Sequence, residues 1–401
     1  MLESCSSTTR VPRTKRLLAA LLTLPLSAAA LLTLPLSAAG LLALAAPAQA
    51  VAGPTASVSM GDSYISGEAG RWQGNSDTAS GSRDGTDRAW TGSGYNPATV
   101  YGSSYAGGCD RSDTAEVRSA TGIAQSQINL ACSGATTANV FRSSKGGQAF
   151  KGEAPQVDQL AAVAARNNVR LITLSIGGND LGFSDVITAC AKDYLIWYSY
   201  CQSDEQAAVD ARMDAAMAGV GKSIDEIRAV MATAGYAAGD YRIVLQSYPS
   251  PIPRSSENRY PESGWSRANT GGCPFWDTDS DWARDSLVPQ VADRLAAVAA
   301  DRGVQFLDLR DVLQGREVCS TATAMAAPGS APSAVTSEWA RFVDGGLSSS
   351  QGAVQESMHP NAYGQLALGR CLTLLYGQSS GNYACRNTPG RDATGMYLTA
   401  L

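Results

Sequence analysis

Apolar residues recur along this chain with two alternating periods, and the alternation predicts a fold. Ala56-Ser57-Val58-Ser59-Met60 alternates apolar with polar side chains before a glycine, as a strand entering a turn does. Residues 155–168 open with Pro155 and place Val157, Leu160, Ala161 and Ala164 on one helical face, and Val169 to Ile176 then reads as a buried strand. The succession returns twice: a helix at about 205–234 before a strand from Arg242 to Gln246, and a helix at about 283–302 before a strand from Val304 to Leu309. A last helix, about Ala362 to Tyr376, follows Pro360. Strands alternating with helices predict an α/β protein with a mostly parallel sheet covered on both faces, a three-layer α/β/α sandwich. Such sheets bind ligands beyond the carboxyl ends of their strands. Gly61-Asp62-Ser63 and Gly177-Gly178-Asn179-Asp180 each follow a strand and would open onto that same edge.

Three long stretches break the alternation, at about 70–122, 249–282 and 320–355. They carry Trp72, Trp90, Tyr95, Trp265, Trp276 and Trp339, and loops of such length in a domain are usually functional or disordered. Ordered walls of a substrate site are expected.

The ends and the charge narrow the setting. Arg10, Arg13, Lys15 and Arg16 precede an apolar stretch from Leu17, and Ala48-Gln49-Ala50 has the small-x-small pattern of a signal-peptidase site. Residues 1–50 are expected to be a signal peptide and 51–401 the functional domain. The decapeptide ALLTLPLSAA occurs at 20–29 and again at 30–39, so the apolar run is long enough for a retained anchor to be the competing reading. Net charge is −5 for the chain, and the first fifty residues hold four basic and one acidic side chain, leaving about −8. With no basic cluster, nucleic acid or an anionic membrane is a poor partner. A secreted, extracellular monomer is expected.

Of nine cysteines, Cys5 lies in the leader. The other eight form an even set, which in an exported chain reads as disulfides. Sequential pairing closes the shortest loops: Cys109 with Cys132, Cys190 with Cys201, Cys273 with Cys319, and Cys371 with Cys385.

His359 is the only histidine, which removes metal sites and proton relays that need several imidazoles. One imidazole suffices as the general base for a single nucleophile. Four short motifs occur in order: Gly61-Asp62-Ser63-Tyr64, Ala131-Cys132-Ser133-Gly134-Ala135-Thr136, Gly177-Gly178-Asn179-Asp180 and His359-Pro360-Asn361. Each alone has the composition of a turn. Together they resemble the four blocks of the SGNH hydrolases, also called the GDSL family, and are nearest to its secreted actinobacterial lipases, esterases and phospholipases.

That resemblance implies a flavodoxin-like sheet, with Ser63 as nucleophile and His359 as base. It assigns oxyanion donors to the backbone N–H groups of Ser63 and Gly134 and to the side-chain amide of Asn179. Many members carry Asp three residues before the histidine; here that position is Glu356, expected to orient the imidazole as the third member of a triad. A backbone carbonyl beside the histidine, as some relatives use, is the alternative. Asp62 and Asp180 are expected to be structural, bonding nearby backbone N–H groups.

The sequence thus points to a secreted serine hydrolase that cleaves carboxylic esters, a lipase or esterase and possibly a phospholipase A, through an acyl-enzyme on Ser63. The tryptophans equally suit a carbohydrate or feruloyl esterase, and the same residues serve acyl transfer to another acceptor. A catalytically inactive cell-surface binding protein on the same fold is the reading from another class. No cofactor and no metal are expected, since Asp277-Thr278-Asp279-Ser280-Asp281 lacks the glycine and final glutamate of an EF-hand loop.

Overall fold

A computed structural model describes residues 53–197, 199–344 and 354–401. The expected signal peptide, its cleavage site and Cys5 lie outside the described residues, as do positions 345–353 of the third long stretch. In chain order the elements that carry the argument are β1 (Thr55–Gly61), α1 (Ser63–Ser66), β2 (Ser126–Asn129), α2 (Gln156–Ala164), β3 (Asn168–Ser175), α3 (Phe183–Leu195) and α4 (Gln202–Thr233). They continue with β4 (Arg242–Gln246), α5 (Val288–Arg302), β5 (Gln305–Asp308), α6 (Ala362–Tyr376), β6 (Tyr383–Arg386) and β7 (Tyr397–Ala400).

The seven strands form one sheet in the order β2-β1-β3-β4-β5-β6-β7. All pairings are parallel except β6 with β7. Central β3 (NVRLITLS) is buried from Leu171 to Ser175, as a strand covered on both faces must be. On one face α4 packs against α2 and α5, and on the other α6 rests on the Glu116–Ser119 turn, which also meets α1. The 32-residue α4 buries Val209, Met213, Met217, Val220, Ile224, Ile227 and Met231, a stripe at the three-to-four spacing of a helix face. Asp204 and Glu205 occupy its first turn, where the helix dipole favours acids.

The helix read from the sequence at 283–302 is divided. A π-helical turn covers Ala283–Leu287, and regular α-helix begins at Val288. Pro289 lacks the N–H an α-helical interior needs, so the regular helix begins where that absence costs least. At the two ends of the sheet order, β2, β6 and β7 have four residues each, too few to show a period on their own.

The carboxyl ends of β1 and β3 lie side by side, with Gly61 in register with Ser175. Gly61 has φ +135°, and a Cβ there would sit 1.8 Å from the Ser175 carbonyl oxygen, so only glycine fits. The Gln156 amide clamps this strand end, accepting from Gly61 N and donating to Gly61 O at 2.7 Å each. Disulfides join Cys109 to Cys132, Cys190 to Cys201, Cys273 to Cys319 and Cys371 to Cys385, with sequence separations of 23, 11, 46 and 14.

Loop-closure entropy ranks these crosslinks. Replacing the Cys273 and Cys319 pair with serine should cost about 4 kcal/mol, and the Cys190 and Cys201 pair about 3 kcal/mol. Urea unfolding of the two double variants checks the order, and equal or inverted losses would count against an entropic origin.

Candidate active site

Ser63 is the first residue of α1, directly after the β1 carboxyl end. Asp62 caps the helix, accepting from Tyr64 N at 3.2 Å. The Tyr248 hydroxyl donates to Asp62 Oδ2 and accepts from Gly178 N, so it ties the Ser63 turn to the loop bearing Asn179. Burial pushes the Asp62 carboxyl up to about 7. Asp180 also serves the scaffold, accepting from Thr137 N at 3.0 Å and Thr137 Oγ1 at 2.7 Å.

His359 reaches Ser63 from the far end of the chain. Its Nε2 lies 2.7 Å from Ser63 Oγ, and its Nδ1 lies 2.9 Å from the Ser357 carbonyl oxygen. A carbonyl only accepts, so Nδ1 carries the proton and Nε2 offers its lone pair to the serine hydroxyl. That is the tautomer a general base requires. Burial, opposed by the Ser357 and Glu356 carbonyls, lowers the imidazole to about 4.

The expected partner of the imidazole is corrected here. Glu356 does not hold Nδ1; its carboxylate accepts from Trp72 Nε1 at 2.8 Å and from the Tyr101 hydroxyl at 2.7 Å. Trp72 is fully buried, with the Arg341 guanidinium 3.5 Å from its ring centre. A buried indole N–H and a buried phenol both need acceptors, and Glu356 supplies both. The carboxylate braces the loop that carries the histidine, while a main-chain carbonyl orients the ring.

The residues expected to supply the oxyanion donors line the same cavity as His359. Gly134 has φ +81°, a left-handed conformation that accounts for glycine at this position. Asn179 Nδ2 donates one hydrogen to the Ala135 carbonyl at 2.9 Å, and the amide has a second. As the first residue of α1, Ser63 has an N–H with no partner inside its helix. Ser63, Gly134, Asn179 and His359 all line a cavity of about 580 Å³.

The cavity wall departs from the expected aromatic loops. Trp72 and Trp339 are buried in the protein core instead. The apolar wall comes from α3, through Phe183, Ile187, Ala191 and Leu195, and from the third long stretch, through Val343 and Val354.

Glu68 was not singled out in the sequence. It is buried, lines the cavity, accepts from Ser133 Oγ at 2.8 Å, and brings Oε2 to 3.6 Å from His359 Nε2. Burial holds its carboxyl well above the usual range, opposed by the Ser133 hydrogen bond. The only sequence signal was its place five residues after Ser63, in a segment that leaves the helix at Gly67.

A family model described as GDSL-like lipase/acylhydrolase matches residues 100–367, a stretch that holds Gly134, Asn179 and His359 and begins after Ser63. Among solved structures, the chain is similar to an extracellular lipase from Streptomyces rimosus (22% identity, 81% of this chain and 100% of that one, TM-score 0.43). It is also similar to a phospholipase A1 from Streptomyces albidoflavus (22% identity, 80% and 99%, TM-score 0.44) and a putative arylesterase from Agrobacterium tumefaciens (14% identity, 80% and 96%, TM-score 0.33). No curated protein matches the chain.

Three outcomes follow from this geometry. Because protonation removes the base, activity should be lost only as pH falls through about 4, and the NMR titration of the single histidine should coincide with that acid limb. Glu356→Gln should lower the melting temperature yet keep kcat within about threefold, under about 0.7 kcal/mol of barrier; a hundredfold drop in kcat would restore the triad. Glu68→Gln copies the shape of the neutral acid that burial favours and should likewise keep kcat within about threefold. A loss above tenfold would show that Glu68 works as a carboxylate.

Proposed function

The chain belongs to the GDSL-like lipase/acylhydrolase family, and on that footing we propose that it is an exported serine hydrolase that cleaves carboxylic acyl esters through an acyl-enzyme on Ser63. The observation that carries the proposal is the 2.7 Å contact between Ser63 Oγ and His359 Nε2 at the wall of an open, largely apolar cavity. In the proposed mechanism Ser63 Oγ attacks the ester carbonyl carbon as His359 Nε2 takes the hydroxyl proton. The carbonyl oxygen gains the charge and meets the N–H groups of Ser63 and Gly134 and the amide of Asn179. Collapse breaks the bond to the alkoxy oxygen, which leaves as the alcohol with the proton from His359. Water then gives its proton to the same nitrogen, attacks the acyl carbon and frees the acid and Ser63.

Each step uses His359 in alternating charge states. The neutral ring is favoured between steps by burial, and the imidazolium is stabilised by the Ser357 carbonyl at Nδ1. The α3 wall supplies apolar surface for the acyl group, and this supports a fatty acyl ester over an acetyl ester. Export is supported by the four disulfides, which persist in oxidising compartments. Among the described residues, no helix is long and apolar enough to cross a membrane.

A fluorophosphonate should label the protein, and Ser63→Ala should abolish labelling with the fold intact. Asn179→Ala should lower kcat by roughly 10²–10³ with far less change in KM, as loss of one oxyanion donor does. Across nitrophenyl esters, kcat/KM should rise from acetyl to medium and long acyl chains. A folded wild-type protein that takes no label would overturn the proposal, and hydrolysis confined to the acetyl ester would overturn its acyl preference.

A further inference from the structure

Leu195, Ile196, Trp197, Tyr200 and Trp265 are all exposed, Trp197 and Trp265 at 49% each and Ile196 at 56%. They form one surface. The Trp197 ring lies 6.0 Å from Trp265 and 5.3 Å from Trp276, and Tyr200 lies 6.0 Å from Trp276. The Cys190–Cys201 bond closes the loop at the end of α3 that presents most of them. Trp197 has φ +52°, a conformation that a bulky side chain seldom adopts. Keeping large rings exposed on a crosslinked loop costs solubility, and such patches mark interaction sites.

Two observations identify the occupant. The patch is continuous with the substrate cavity, because Leu195 and Ile196 also line it alongside Ser63 and His359. Whatever covers the patch therefore faces the cavity mouth. Acids outnumber cations around it: Asp185, Asp193 and Asp204 act on Glu205 against Arg212, and Glu262 and Asp277 act against Arg267 on Tyr194, which packs beside Trp197 and Trp276. The cations there are fewer, and Arg212 and Arg267 are engaged by Asp185 and Asp277, leaving Lys192 at the cavity rim. An acidic rim around indole faces repels anionic headgroups and suits a quaternary ammonium, which binds over aromatic rings. Tryptophan and tyrosine also favour the headgroup level of a bilayer.

The geometry points to a docking surface for a zwitterionic, choline-bearing lipid interface, formed by Trp197, Tyr200 and Trp265 with the cavity mouth turned toward the lipid. This rests on the ester-hydrolase reading, since it supplies that site with substrate from a lipid aggregate. In such docking an acyl chain leaves the lipid past Leu195 and Ile196 and enters the cavity along α3.

The test uses the full chain as Ser63→Ala, so that lipid is not consumed, with phosphatidylcholine vesicles and with vesicles containing phosphatidylserine. Sedimentation should show binding to phosphatidylcholine, weakened at least tenfold by joint Trp197→Ala and Trp265→Ala and weakened by phosphatidylserine. In the active background the same two substitutions should leave hydrolysis of a soluble short-chain ester unchanged, which also reports that the variant folds. Absence of binding, binding indifferent to the two substitutions, preference for the anionic vesicles, or a dimer that the substitutions dissolve would each overturn the docking proposal. Vesicle binding by a protein that hydrolyses no ester would instead overturn the ester reading alone.

Discussion

The contact between Ser63 and His359 joins residues 296 positions apart, and the remaining architecture is what keeps it at 2.7 Å. Two further hydrogen bonds span the same gap. The Tyr64 hydroxyl donates to the Met358 carbonyl at 2.8 Å, and Gln365 of α6 donates to the Tyr64 carbonyl while accepting from Glu116 N. Asn361, two residues after the histidine, caps α6, accepting from Tyr363 N and Gly364 N, and so fixes where the helix begins. The nucleophile is set by the end of β1 and the base by the start of α6. A hydroxyl and an imidazole held this closely have already lost the freedom that a reacting pair would otherwise lose in the transition state.

The surroundings then decide the charge of each group. A carboxylate at Nδ1 would raise the imidazole, whereas the Ser357 carbonyl is a neutral acceptor and leaves desolvation dominant. Glu68, close to Nε2, is itself driven toward the neutral acid by burial. In the proposed mechanism the charge pair made during attack, imidazolium and oxyanion, meets donors and acceptors that the fold already holds in place, so little reorganisation accompanies its formation.

What the sequence made legible follows from where the information resides. Ser63, Gly134, Asn179 and His359 lie in motifs of definite residue type, and the structure brings all four to one cavity. The orienting acceptor on Nδ1 is a main-chain carbonyl, which every residue possesses, so no residue type announces it; Glu356 drew attention because its side chain is a plausible acceptor. Glu68 was hidden for the opposite reason, since a lone glutamate after a turn looks solvated until tertiary packing buries it. The parallel core was legible because β3 and α4 are long enough to display their periods. The four-residue strands β2, β6 and β7 were not, and α3 was obscured by the Gly177-Gly178 and Gly182 signals of a loop. The tryptophans were assigned to the substrate wall from their loops alone, yet burial divides them: Trp72 and Trp339 serve the core, and Trp265 stands in solvent.

One helix connects the chemistry to the surface. Phe183, Ile187 and Ala191 of α3 face the cavity, the first at the end near Asn179, and Leu195 closes the series at the end toward solvent. This spacing of four places them on a single stripe of the helix, so the cavity inherits a continuous apolar wall from the oxyanion loop to the mouth. On the same helix Cys190 turns away to its bond with Cys201, which holds the following loop against the fold. A change that frays the last turn of α3 would thus reach the acyl wall and the aromatic surface together while leaving Ser63 and His359, held by β1 and α6, in place. The Ser63–His359 pair and the aromatic surface are carried by separate elements, and α3 joins the cavity of the one to the other.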